Sequence, residues 1–383
     1  MKRTPIERSM AAAVLLAILT PHPAAVYAQG SLMPPGAPGA TMRTLTQIEP
    51  RTPVSNAVTI SRSGSYYLTT NITVSSGDGI AIATNSVTLD LNGFTIASTA
   101  VIAAGSGIEV RSGLRNLTIQ NGFIQGGLTN NGGVYGGPGF SSGIDYLGTP
   151  PGNVRVAGVS VSGCLNDGIN LSTGTSTVVE SCMVQTVGGE GICASTVRNS
   201  TAVDCGNVGI YGDRVSDSRG EAASGDGIFA ASVQNSCGVS SAGHGIEAAM
   251  AENCQGTSSS GDGIGADTVL NCRGISSSGN GIYANVAMNC YGKSSSGGYG
   301  LMAVAAGQNC YGENNTGGFG IGSGLAQNCW GRSIASGTGL SAILAIGCQG
   351  VSQIGSTALS VTLANSCTHS VGSESVIYKY NMP

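Results

Sequence analysis

The residues with the most chemistry to offer share one recurring slot, the position just before a Gly-Ile or Gly-Leu pair. It reads Asp167, Glu190, Val208, Asp226, His244, Asp262, Asn280, Tyr299 and Phe319. If successive slots stack one strand spacing apart, Asp226, His244 and Asp262 sit on consecutive coils, each ~5 Å from the next. At that distance carboxylates and an imidazole share a proton or a cation, which is what general acid–base chemistry requires. Asp-Gly and Asn-Gly are also ordinary turn dipeptides, so turn formation competes for the same residues.

A second slot follows a recurring cysteine and points outward: Gln255, Arg273, Tyr291, Tyr311, Trp330 and Gln349. Tyr291, Tyr311 and Trp330 fall on three consecutive coils and form a stripe ~10 Å long. Lys293, Glu313 and Arg332 occupy the next outward slot beside it. Flat rings next to hydrogen-bonding groups suit stacking on sugar faces. Stacking of the rings on one another, to stiffen a sheet face, accounts for the same pattern.

The cysteines that set this register are Cys237, Cys254, Cys272, Cys290, Cys310, Cys329, Cys348 and Cys367, in steps of 17 to 20 residues. Extended backwards, the slot falls on Cys182, Thr201 and Arg219, so nine cysteines are expected in one row and Arg219 in an inward, costly position. In-register stacking puts equivalent Cβ atoms ~4.8 Å apart, whereas a disulfide wants ~3.5–4.5 Å. A buried row of thiols is therefore expected. No metal is expected, because a single row lacks the tetrahedral grouping of zinc sites.

A ruler of 17 to 20 residues identifies a solenoid, each coil burying its apolar side only against its neighbours. The Gly-Ile ladder runs from Gly168-Ile169 to Ala358-Leu359, and wider steps before it, at Gly79-Ile80, Gly107-Ile108 and Gly143-Ile144, predict longer loops in the early coils. With 62 Gly and only 9% charged residues among 383, the composition is turn-rich. Disorder is excluded by the 41% apolar content held at fixed positions in each period. Within Gly263 to Gly279, Ile264, Ala266, Cys272, Gly274 and Ser276 point inward, and Gly265, Arg273 and Ile275 outward. Asn253, Asn271, Asn289, Asn309 and Asn328, each before a cysteine, mark a bend where amides can bond from coil to coil.

Residues 1 to 28 read as a signal peptide: Lys2, Arg3 and Arg8 precede an apolar run from Met10 to Leu19, and Val26-Tyr27-Ala28 offers a cleavage site. That run is too short to span a bilayer, so no membrane span is expected after its removal. Residues 29 to 43 form a Pro/Gly-rich linker and residues 44 to 60 an N-terminal cap. The β-helix occupies 61 to 383, with regular repeats over 160 to 370. Without the signal the chain carries 13 Lys+Arg against 19 Asp+Glu, a balance that argues against a nucleic-acid partner.

The stretch SGSYYLTTNITVSSGDGIAIATNSVTLDLNGFTI, followed by LRNLTIQNGFIQG and a closing VIYKYNMP, resembles exported bacterial right-handed parallel β-helix proteins of the pectin-lyase-like superfamily. The resemblance covers most of the chain after residue 55 and implies an all-β, right-handed parallel β-helix, wide and irregular first and regular later. It also implies a secreted, periplasmic or cell-surface location. Gly243-His244-Gly245-Ile246 is similar to the Gly-His-Gly motif of polygalacturonase-type hydrolases, which makes Asp226, His244 and Asp262 candidate catalytic residues; the Arg-x-Lys motif of that family is absent. A lyase of the superfamily would use calcium, and otherwise no cofactor is implied. Three functions stay open: binding of polysaccharide or cell-surface glycan through Tyr291, Tyr311, Trp330, Arg332 and Lys293; hydrolysis or lysis of a polysaccharide; and a structural or adhesive rod.

Overall fold

The computed structural model describes residues 49–353 and 356–382. The expected signal peptide and linker, the first residues of the cap and the final Pro383 lie outside the described residues. From Arg51 onward the chain forms one compact unit. It is the expected all-β parallel solenoid, of about 17 turns, with no helix among the described residues. Residues 49–60, the described part of the expected cap, hold Thr52–Val54 and Val58–Ile60, which pair in parallel with Tyr66–Leu68 and Ile80–Ile82 and so form solenoid strands themselves.

A regular coil is illustrated by residues 263 to 280. Strand Ile264–Leu270 is followed, after a sharp corner at Asn271, by strand Arg273–Ser276. Ile264, Val269, Cys272, Gly274 and Ser276 are buried, as their alternation requires. Ser276 inside this core is satisfied by donating to the carbonyl of Gly261 at 2.6 Å, and Ser258 and Ser294 do the same one coil away on each side.

Thinness is set by glycine. A Cβ on Gly274 would sit 2.0 Å from the Gly281 carbonyl oxygen, and one on Gly281 would sit 2.1 Å from the Lys293 nitrogen. The two strands of the coil thus meet backbone to backbone, which explains why Gly precedes each Ile in the repeat. The earlier coils have no such seam and are filled by large aliphatics, among them Leu68, Leu89, Ile96, Ile108 and Ile119. Their long loop between Gly126 and Pro151 carries a hairpin, Thr129–Asn131 with Val134–Gly136.

The corner asparagines adopt left-handed backbone, from φ 52° at Asn328 to 56° at Asn289. Asn tolerates this conformation better than other side-chain-bearing residues. Their amides also bond along the axis: Asn289 to Asn271 at 3.1 Å, Asn309 to Asn289 at 3.1 Å and Asn253 to Asn235 at 3.3 Å. Asn289→Ala should therefore cost about 2 kcal/mol in urea unfolding, and Asn289→Gly less than half of that. Equal losses for the two variants would show that the backbone conformation is not what selects asparagine at this corner.

One expectation of register is corrected. Thr201, Arg219, Cys237 and Gln255 are paired with one another on successive coils and lie on the outward side. The inward row reads Cys182, Ser200, Ser218, Ser236 and then Cys254, with Ser218 Oγ accepting the Ser200 N–H and Ser236 Oγ accepting the Ser218 N–H at 3.2 Å. The 17-residue step between Cys237 and Cys254 conceals a slip of one residue, and such a slip reverses the face of a strand. Eight cysteines, not nine, share the inward row. Arg219 is exposed and ion-paired to Glu221 at 2.9 Å, so no buried arginine has to be accommodated. All twelve cysteines are free thiols.

Candidate functional site

Two surfaces concentrate the candidate residues. The first follows the asparagine corner. An open groove passes seven consecutive corners from Asp217 to Asn328, with Arg219, Gln255, Arg273, Tyr291, Tyr311 and Trp330 along its other side. These outward residues are in strict register, Gln255 with Arg273, Arg273 with Tyr291, Tyr291 with Tyr311, and Tyr311 with Trp330. Their rings stack on one another: Tyr311 and Trp330 lie 4.8 Å apart at 23°, Tyr291 and Tyr311 5.3 Å apart at 44°. Arg273 covers the far face of the row, 5.5 Å from the Tyr291 centroid. The stripe accordingly turns ring edges toward the groove rather than an open row of faces. Trp330, at its end, keeps 44% exposure.

Lys293, Glu313 and Arg332 form the neighbouring row. Glu313 is buried at 9% exposure, lies 3.3 Å from the Lys293 ammonium and 3.9 Å from the Arg332 guanidinium, and accepts the Tyr311 hydroxyl at 3.0 Å. A carboxylate so enclosed needs both cations. Lys293 and Arg332 therefore hold Glu313, and Glu313 holds Tyr311 in the stack.

The second surface contains Asp226, His244 and Asp262, which stack on consecutive coils as expected. Asp226 Oδ1 accepts the His244 N–H at 2.7 Å, His244 Nδ1 accepts the Asp262 N–H at 3.0 Å, and Asp262 Oδ1 accepts the Asn280 N–H at 2.7 Å. Each side chain thus satisfies the turn of the coil above it. With Nδ1 accepting, the proton of the neutral ring is on Nε2, so the imidazole faces its surroundings as a donor. Asp262 Oδ2 lies 3.9 Å from Nδ1.

The structure adds a residue that the slot pattern does not contain. Glu247, three residues beyond His244, brings a carboxylate oxygen within 4.8 Å of ligand atoms of both Asp226 and His244. Burial, and then the charge of and hydrogen bond to Asp226, hold the Glu247 carboxyl above its ordinary range. The residue after each Ile forms an outward row, Tyr211, Phe229, Glu247, Gly265 and Tyr283. Tyr211 and Phe229 pack at 5.3 Å. At Gly265 the row is interrupted: a Cβ there would meet only His244 Nδ1, at 3.8 Å. The result is a notch in a groove also lined by Asp213, Asp267 and Asn285.

Farther up the same row sits a second acidic group. Asp145 is pushed up to about 6, by burial first and then by Asp167 and Glu109. Glu109 is its partner on the preceding coil, and burial also raises Glu190, with Asp167 adding to the shift. Reading the residue after each Ile along the whole chain, rather than the one before each Gly, would have exposed both Glu247 and Asp145.

No family model and no curated protein matches this chain. Among solved structures it is similar to the enzymatically active domain of bacteriophage CBA120 tailspike protein 2, at 11% identity and TM-score 0.25, over 75% of this chain and 38% of that one. It is also similar to the Dettilon tailspike protein, at 12% identity and TM-score 0.28, over 83% of this chain and 60% of that one. The chain therefore spans less than two thirds of either tailspike chain, and likeness at this level assigns neither family nor activity.

Proposed function

We propose that the protein is an exported solenoid that binds an extended polysaccharide along the asparagine groove. The observation that carries this reading is the groove itself: seven corners of repeated amide and carboxylate groups face a row of guanidinium, tyrosine and tryptophan side chains. Amides and guanidinium groups supply the directed hydrogen bonds that hydroxyl-rich ligands need, and ring edges supply apolar contact. A linear polymer lying parallel to the axis meets the same groups again on every coil. Binding by repetition of weak contacts suits a long, open groove better than a compact small-molecule ligand, which pockets usually enclose. Export to a cell exterior rests on the reading of residues 1 to 28 as a signal peptide and belongs to the same proposal. Retention of the purified protein on an array of polysaccharides, lost in Trp330→Ala, tests it; absence of any retained glycan would refute it.

A second reading is a polysaccharide hydrolase at the Gly265 notch. It is favoured by the Glu247 carboxyl, which burial and then the neighbouring Asp226 keep protonated to higher pH, as a general acid requires. In this reading Glu247 donates a proton to the leaving oxygen, Asp226 tunes it, and His244 and Asp262 hold the turn. Reducing ends should appear when a panel of uronans and neutral glycans is incubated with the protein. Glu247→Gln should reduce that release at least about a hundredfold, whereas Asp262→Asn, which keeps an oxygen to accept the Asn280 N–H, should leave most of it in place. Release that persists unchanged in Glu247→Gln would remove this reading.

A further inference from the structure

Beneath the asparagine corner runs a feature that neither reading uses. From Cys254 to Cys367 every coil places a cysteine at the same inward position, seven thiols in single file. They are buried, yet several of them contribute to the floor of the asparagine groove. The row is bonded along the axis at two of its steps: Cys254 N–H donates to Cys272 Sγ at 3.2 Å and Cys329 N–H to Cys348 Sγ at 3.4 Å. Each thiol also donates to the carbonyl two residues before it, at 3.0 Å for Cys254, Cys272 and Cys290. Neighbouring thiols perturb one another's acidity: hydrogen bonds from Cys272 and Cys310 lower Cys254 and Cys290, while Cys272 and the four thiols from Cys310 to Cys367 are raised, first by the hydrogen bond to the cysteine of the preceding coil.

Spacing decides what such a file can hold. Neighbouring coils stand ~4.8 Å apart, too far for a disulfide with relaxed geometry. A metal ion between two thiolates in line needs them separated by twice a metal–sulfur bond; with a bond of ~2.3 Å that is ~4.6 Å. Zinc, which takes four ligands in a tetrahedron, finds only a line here. Soft ions that accept two sulfur ligands in line find what they require, since thiolate is their preferred donor.

We propose that the thiol file is a binding site for soft, two-coordinate metal ions, each held between cysteines of adjacent coils. For a divalent ion the step is two R–SH plus M2+ giving RS–M–SR and two H+, with no change of oxidation state. The product is neutral, which suits a buried position. Monovalent soft ions such as Cu+ and Ag+ take the same geometry, but the pair then keeps a net charge of −1 and is held less tightly in this interior. Seven thiols make three separate pairs with one left over, so a full file holds three ions and releases six protons.

Two variants with equal numbers of thiols test the proposal. Cys272→Ser, Cys310→Ser and Cys348→Ser together leave no two neighbouring thiols in the file. Cys329→Ser, Cys348→Ser and Cys367→Ser together leave four contiguous ones. Serine fits this position, as Ser200, Ser218 and Ser236 hold it on earlier coils and bond along the row. Folded protein is titrated with Hg2+ in the presence of excess monothiol, which strips ions held by a single cysteine, and bound metal is counted by native mass spectrometry. Expected are three ions for the natural sequence, two for the contiguous variant and none for the alternating variant, with Zn2+ retained by none of them. Equal retention by the two variants, or no retention by the folded natural sequence, would overturn the proposal. Should the alternating variant fail to fold, the contiguous variant still decides, because only pairing in file predicts two ions from its four remaining file thiols.

Discussion

Gly274→Ala is expected to destabilise the solenoid by about 3 kcal/mol, although it adds a single methyl group. The added carbon would lie 2.0 Å from the Gly281 carbonyl oxygen and 2.5 Å from Ile282 Cγ1. Neither can retreat, because Gly281 is bonded through its N–H to Tyr299 and through its carbonyl to Ile264, and Ile282 is paired with Ile264 and Leu301 on the coils either side. The same contact recurs at Gly256 and Gly292, so a local shift would have to propagate along the axis. Gly265→Ala is the matched comparison, since its new carbon meets only His244 Nδ1 at 3.8 Å, and it should change stability by no more than about 0.5 kcal/mol. Urea unfolding of both variants checks the pair. Similar stabilities would mean that the glycine seam does not set the width of the coil.

Trp330→Ala is expected to weaken glycan binding about tenfold or more while leaving the fold in place. Its ring ends the stack on Tyr311 and has the largest exposed share of the three aromatics facing the groove. Aromatic groups in such positions carry ~2 kcal/mol or more of binding where they form the anchor of a contact, and 1.4 kcal/mol is already a factor of ten. The structural loss is smaller, roughly 0.5–1.5 kcal/mol for the stack with Tyr311. Thermal unfolding and glycan affinity measured on the same sample separate the two effects. A variant that loses affinity only in proportion to its loss of folded protein would show that the ring supports the coil and touches no ligand.

The solenoid was legible in the sequence because its period is carried by residues with one physical reason each. Glycine stands where two backbones meet, asparagine where φ is positive, and isoleucine where the coil is filled. The inward row was read correctly at Cys182 and from Cys254 onward, and wrongly at Thr201, Arg219 and Cys237. Cys237 has the right residue type one place out of phase, and its 17-residue step was the sign that the phase had slipped. The stacking of Asp226, His244 and Asp262 was also legible, since it follows from the period alone. Glu247 was not, because it belongs to a different row, and only the pleat of strand Ile246–Glu252 turns it toward Asp226. Ring orientation was likewise hidden: register places Tyr291, Tyr311 and Trp330 side by side but does not say that their faces turn to one another. The hairpin at Thr129–Gly136 anchors through a contact of the same non-local kind, with Tyr135 and Asn130 both donating to Asp204, some seventy residues later.

Trp330 is the one tryptophan of the chain, so its fluorescence reports on the groove without added labels. Titrating the protein with a polysaccharide retained on the array should shift or quench the Trp330 emission, saturating at the concentration where binding saturates. Binding that saturates with no change in Trp330 emission would place the ligand elsewhere and contradict the assignment of the asparagine groove.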